Sequence, residues 1–234
     1  MQTRCIQLTA ELFIANKNYS SWSLRPWVLM RQLQIPFIEQ LTPFSGAMTP
    51  AAFRTFSPSA KVPCLVQGSI RVWDSLAITE YLAETYPAVW PLDREARAWA
   101  RCAAAEMHSG FGELRNICTM NCGLRIQLHE ITPALQAELE RLDSLWCEGI
   151  GRFGGHFLAG TEFTAVDAFF APVAFRVQTY NLQLSLPAME YVARLLTLEP
   201  MREWYEAALR ESWRNESHEH DAGRVGTWLE DFRS

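Results

Sequence analysis

The residues best placed to do chemistry come in three short runs. SAKVPCLV, residues 59 to 66, puts Lys61, Val62 and Pro63 ahead of an apolar strand. Proline has no N–H to donate and fits poorly inside a central strand. Pro63 is therefore either an ordinary edge-strand residue or a turn at a strand entrance, where a cis bond can form. In the second case the N–H and C=O of Val62 face outward, and an extended peptide can add to them as one more strand. NYSSWSLRPW, residues 18 to 27, crowds Ser20, Ser21 and Ser23 around Trp22 at the start of a helical pattern, with Ser23 suited to the N-cap and Pro26 to the first turn. Asp74 and Ser75 open another helix and, taken alone, form an N-cap pair.

Other chemical groups argue against themselves. Cys118 and Cys122 share a helical face, but no second ligand pair accompanies them, so buried packing is the better reading than metal. His218 and His220 alternate in SHEHD near acids, where a solvated segment binds metal only adventitiously. Thr164 and Asp167 form a capping box with Asp in the usual Glu place, which makes Asp167 a structural residue first. No G-x-S-x-G occurs, and the five histidines have no nucleophile beside them, so a hydrolase triad has no support.

The elements that position these runs follow from period and punctuation. ELFIAN is a short strand, SLRPWVLMRQLQ has helical spacing, and PFIEQLTPF, residues 36 to 44, reads as a second strand in a parallel βαβ unit. PAAFRTF is weakly helical. Strands at 64 to 67 and 70 to 73 are separated by Gly68 and Ser69 and form a hairpin, and LAITEYLAETY is a helix after Ser75. The order β-α-β-α-β-β-α predicts an α/β domain with a four-stranded mixed sheet over residues 1–86. Prolines in YPAVWPLDRE mark a linker at 87–93, and residues 94–214 read as an all-helical domain, with helices at about 94–120, 131–150, 165–182, 188–197 and 200–214. Residues 215–234 read as a polar tail.

Composition limits the partners. The 234 residues are 49% hydrophobic and 20% charged, the balance of a packed globular protein. A net charge of -5 without any basic run argues against nucleic acid, and no segment approaches the ~20 apolar residues of a membrane span. No signal-peptide core opens the chain, which reads as cytoplasmic, its six cysteines (Cys5, Cys64, Cys102, Cys118, Cys122 and Cys147) expected to be thiols.

In order, NYSSWSLRPW, KVPCL, WDSLAITEYLAETYP and FLAGTEFTAVDAFFAPV resemble the glutathione S-transferase family over nearly the whole chain. SSWS is similar to the SSCS signature of the zeta class, which includes maleylacetoacetate isomerases, with Trp22 where that signature has cysteine. The resemblance implies a thioredoxin-like first domain, a homodimer and glutathione as co-substrate, with neither metal nor nucleotide. Glutathione reacts as its thiolate, and a serine hydroxyl at a helix N-terminus stabilises negative sulfur. Laid on the family pattern, Ser20 takes the catalytic place, with Ser21 and Ser23 in reach and Tyr19 a poorer donor. Val62, beside Pro63, would pair with the peptide's cysteine backbone, Ser75 with its γ-glutamyl carboxylate, Asp74 with its ammonium and Lys61 with its glycine carboxylate. Asp74 stands where the family more often has Glu or Gln.

For the electrophile, Trp22 and the stripe Met107, Phe111 and Arg115 are candidates, although such a stripe is more often core. The leading expectation is thiolate attack on a small hydrophobic electrophile. A zeta-type cis-trans isomerase is the alternative, in which Arg25 would meet a diacid. A non-catalytic interaction protein, its thiol pocket closed by Trp22, is the third.

Overall fold

Alternating burial along AELFI makes β1 (Ala10–Ile14) the inner strand of a sheet, with Leu12 and Ile14 fully buried on one face. The structure is a computed structural model that describes residues 9–234, so Cys5 lies outside the described residues. Strand β1 runs parallel to β2 (Phe37–Leu41), with Ala10 opposite Phe37 and Ile14 opposite Leu41. It runs antiparallel to β3 (Cys64–Gln67), which turns through Gly68 and pairs antiparallel with β4 (Ile70–Trp73). The strand order is β2-β1-β3-β4, the expected mixed sheet.

Helix α1 (Ser21–Gln32) supplies the β1–β2 crossover, α2 (Thr49–Arg54) follows β2, and α3 (Ser75–Ala83) follows β4. Helix α1 begins three residues earlier than Ser23 as N-cap would place it, so Ser20 occupies the N-cap position and Pro26 lies inside the helix. Ser23 is buried and serves β1 instead: its Oγ accepts the Ala15 N–H at 3.3 Å. At α3 the cap is Asp74, whose carboxylate accepts the Leu76 N–H at 2.8 Å. The second half contains α4 (Arg94–Ser109), α5 (Gly112–Ile117), α6 (Pro133–Phe153), α7 (Ala165–Tyr180), α8 (Leu186–Thr197) and α9 (Glu199–Arg210). Helix α7 carries the expected capping box. Asp167 is fully buried and accepts hydrogen bonds from Thr164 N–H at 2.9 Å, Leu158 N–H at 3.0 Å and Tyr191 O–H at 2.9 Å. Burial pushes its carboxyl up to about 6 against those hydrogen bonds.

The expected helix at 94–120 is two helices: Gly110 and Phe111, at φ 54°, break it. A Cβ on Gly110 would stand 2.8 Å from the Glu106 carbonyl oxygen, so the chain turns there at a residue without one. The second half is also not purely helical. β5 (Leu124–Leu128) pairs antiparallel with β6 (Gly226–Asp231), and α10 (Glu216–Val225) precedes β6, so residues 215 to 234 fold back on the domain. One buried core joins the two halves, with Trp27 of α1 edge-on to Trp204 of α9 at 5.1 Å. Among the described residues no helix is long and apolar enough to cross a membrane.

Candidate active site

The loop that leads from β1 into α1 has no regular partner of its own, so its backbone polar groups must be met from elsewhere. The second half meets them. Glu211 Oε1 and Oε2 accept the N–H groups of Lys17 at 2.6 Å and Asn18 at 3.3 Å. Trp204 Nε1 donates to the Lys17 carbonyl at 2.8 Å, and the N–H of Cys122 to the Asn18 carbonyl at 3.2 Å. The serine run is thereby fixed by the helices and not only by its own sheet.

Within that run, each hydroxyl has a different place. Tyr19 O–H donates to Glu219 at 2.6 Å and accepts the Asn215 N–H at 3.4 Å, so it is turned toward the C-terminal segment. Burial and the Glu219 carboxylate push it up to about 12, and its proton is committed to Glu219. Ser20 lines a cleft of 520 Å³ and donates to Ser23 Oγ at 2.8 Å. Hydroxyls rotate, so this bond can reverse: Ser23 then donates to Ser20, and Ser20 donates into the cleft, with no buried group left unpaired. Ser21 lines the same cleft and accepts from Arg176 Nη2 at 3.5 Å.

A second cleft of 420 Å³ lies beside the first, and Trp22, Lys61 and Val62 line both. The Val62–Pro63 bond is cis. Neither the N–H nor the C=O of Val62 has a hydrogen-bond partner among the described residues. Asp74 and Ser75 also line the second cleft. Asp74 sits at φ 80°, unusual for a residue with a side chain, and leaves one carboxylate oxygen 3.6 Å from His108 Nε2. Ser75 Oγ is buried at the N-terminus of α3 without a partner. An orphaned buried hydroxyl is costly unless a ligand meets it.

Positive charge gathers behind Trp22. Arg25 is buried with its guanidinium 4.1 Å from the Trp22 ring, and Arg115 lies 5.4 Å from the same ring. Arg176 is buried and lines the first cleft, its Nε unpaired. Desolvation lowers Arg25 to about 9 and Arg176 to about 10, so both still carry charge near neutral pH. None of the three makes an ion pair with a carboxylate among the described residues.

The structure therefore brings Ser20, Ser21, Trp22, Lys61, Val62, Pro63, Asp74, Ser75 and Arg115 to the two clefts. Met107 and Phe111 do not line them. Both are core, Met107 1% and Phe111 5% exposed, and the break at Gly110 carries Phe111 off the stripe. Arg25 packs behind Trp22 and lines neither cleft. Sequence reasoning missed Arg176, although a lone Arg inside the apolar run AFFAPVAFRV was a usable signal. His218, another cleft residue, lay in a segment read as solvated tail.

Residues 19–85 match the family described as Glutathione S-transferase, N-terminal domain, and residues 124–207 match Glutathione S-transferase, C-terminal domain. The chain belongs to the glutathione S-transferase family. A maleylacetoacetate isomerase of Rattus norvegicus is 26% identical over 185 residues, covering 76% of this chain and 84% of that protein. A zeta class glutathione S-transferase of Euphorbia esula is 29% identical over 137 residues, 57% of each chain. Among solved structures, a glutathione transferase homolog from Burkholderia GL BGR1 with bound glutathione superposes with a TM-score of 0.62 at 22% identity. That match covers 86% of this chain and 97% of that one. The glutathione S-transferase fold accounts for the order of the two halves and for the thioredoxin-like sheet of the first.

Proposed function

We propose that this chain binds glutathione across the two clefts and activates its thiol for attack on a small electrophile. The carrying observation is an unpartnered Val62 backbone and an orphaned, buried Ser75 Oγ in the lining of one cleft. An extended peptide satisfies both: its backbone pairs with Val62, and its γ-glutamyl carboxylate meets Ser75 Oγ and the first N–H groups of α3. Asp74 faces the ammonium, and exposed Lys61 the glycine carboxylate. The sulfur then lies toward Ser20 and the N-terminus of α1. Ser20, relayed from Ser23, donates to the thiolate, and the helix dipole adds favourable potential. Trp22 forms a wall between the clefts and leaves the thiol side open, which supports catalysis over a closed interaction protein.

One observation favours the isomerase alternative for the second substrate. Arg176 and Arg115 are unpaired cations in the wall of the thiol cleft, where a small hydrophobic electrophile has nothing to offer them. A conjugated diacid does: thiolate adds to the double bond, rotation follows, and thiolate leaves, while the guanidinium groups hold a carboxylate. The homodimer expectation is supported by the exposed Ile70 and Trp73 of β4, beside the outer face of α3.

Calorimetric titration of glutathione into the chain tests the cofactor reading: micromolar to millimolar binding is expected, weakened tenfold or more in Ser75→Ala, and no binding to the wild type refutes it. Comparing turnover of maleylacetone and a chlorinated nitroarene separates isomerase from transferase.

A further inference from the structure

The histidine pair in SHEHD plays no part in the reading above, yet one of the two lines the cleft assigned there to the thiol. His218 lines the cleft that Ser20 and Ser21 line. Its ring is packed between Phe44, stacked at 5.8 Å and 17°, and Tyr19, tilted at 5.1 Å. The segment that carries it is tied down: Arg233 of the last residues pairs with Glu219, and Glu219 accepts from Tyr19.

The hydrogen bonds also fix the tautomer. Asn215 Oδ1 accepts the His218 backbone N–H at 3.1 Å, which identifies that atom as the amide oxygen. His218 Nδ1 lies 3.0 Å from the same oxygen and must therefore donate to it. The neutral ring keeps its lone pair on Nε2, which makes no hydrogen bond and is not among the buried unpaired atoms. It is the imidazole of the thiol cleft, whose other nitrogen-bearing side chains are the cations Lys61, Arg115 and Arg176, the Asn116 amide and the Trp22 indole, a donor only. An imidazole held at Nδ1 by an Asn oxygen, with Nε2 free beside a thiol site, is arranged as a base.

We propose that His218, supplied by the C-terminal segment, takes the thiol proton of bound glutathione; this rests on the glutathione reading given above. The S–H bond breaks, the proton goes to Nε2 directly or across one water, and the electron pair stays on sulfur, where Ser20 donates to it. When thiolate displaces chloride from a chloronitroarene, the S–C bond forms, the C–Cl pair leaves with chloride, and imidazolium passes its proton to water. Desolvation lowers His218 in the free protein, against the pull of Asp221 and Glu219 of α10. The other titratable groups lining the cleft are Tyr19, Lys61, Arg115 and Arg176. The ring is therefore neutral and ready before glutathione binds, and the thiolate formed beside it raises its hold on the proton.

Calorimetry of glutathione binding near pH 7, in buffers of different ionisation enthalpy, counts protons released, and thiolate absorbance on the same samples counts thiolate formed. In the wild type, thiolate should form with almost no proton release. In His218→Gln, release should rise to match the thiolate formed, and kcat for the chloronitroarene should fall at least tenfold, with imidazole restoring part of it in His218→Ala. Thiolate formation with equal proton release in the wild type overturns the proposal whether or not the variants fold. Failure of the wild type to bind glutathione overturns the glutathione reading and this one with it.

Discussion

Replacing Ser20 by Ala isolates the hydroxyl proposed to meet the glutathione sulfur. Ser20 is only 5% exposed, and its hydroxyl has two possible partners, Ser23 Oγ at 2.8 Å and a sulfur in the cleft. When Ser20 donates to thiolate, Ser23 reverses and donates to Ser20, so the wild type gains a charged hydrogen bond without losing the internal one. A hydrogen bond to a charged group is worth about 1.5–3 kcal/mol. At 1.36 kcal/mol per pKa unit, that is a rise of about 1–2 units in the thiol pKa of bound glutathione. The dipole of α1 and the charge of Arg176 act on both proteins and cancel in the comparison. From a free thiol of ~8.5, that bond alone carries the wild-type complex to about 6.5–7.5, so it holds a far larger thiolate fraction near neutral pH than the variant. Thiolate absorbance titrated against pH measures the shift, and calorimetry should find glutathione affinity within a few-fold, since the γ-glutamyl and backbone contacts remain. Ser23→Ala should give a smaller shift in the same direction, because Ser20 loses its relay. If Ser20→Ala titrates like the wild type while Ser21→Ala does not, the donor is Ser21, and the relay argument is wrong.

Three further outcomes follow from buried polar groups. Arg176→Met should raise KM for a diacid substrate about tenfold to a hundredfold and leave a neutral chloronitroarene unaffected within a few-fold, because one charged hydrogen bond is lost. Thermal stability of that variant should hold or improve, since an unpaired buried charge is removed. Glu211→Ala strands the Lys17 and Asn18 N–H groups and should cost about 2–5 kcal/mol in chemical denaturation, with kcat falling as the serine loop loosens. Asp167→Asn turns an amide N–H₂ or loses an acceptor toward Thr164 or Tyr191 and should cost about 1–3 kcal/mol. Asp167 holds its proton more tightly folded, at about 6, than its ordinary 3.8, so wild-type stability falls relative to the Asn variant as pH rises between those values. Denaturation at pH 4 and pH 7 should show the gap narrowing, and an unchanged gap refutes the shift.

Local pattern reached as far as contacts that are close in sequence or follow from period. The strands at 64 to 67 and 70 to 73 sit where Gly68 and Ser69 placed them, because a two-residue hairpin loop fixes its own register. Thr164 and Asp167 lie three residues apart at a helix start, so their capping box was readable as a motif. The runs around Ser20, Val62 and Ser75 were readable for a related reason. Each is a local backbone device, a helix start or a strand entrance, that a few neighbouring residues determine.

Only the tertiary structure decided what closes the site. β6 pairs with β5 across about a hundred residues, and nothing in GTWLED announces a partner that distant. Phe111 left the helical stripe because one backbone position turned left-handed at φ 54°, and periodicity carries no record of a break. Arg176 and His218 reach the cleft from elements that pack over it late in the chain. The sequence alone thus determined the local backbone devices of the first half, on which the proposed glutathione reading rests. The electrophile half depends on which side chains long-range packing delivers to the cleft and on which of them it leaves unpaired.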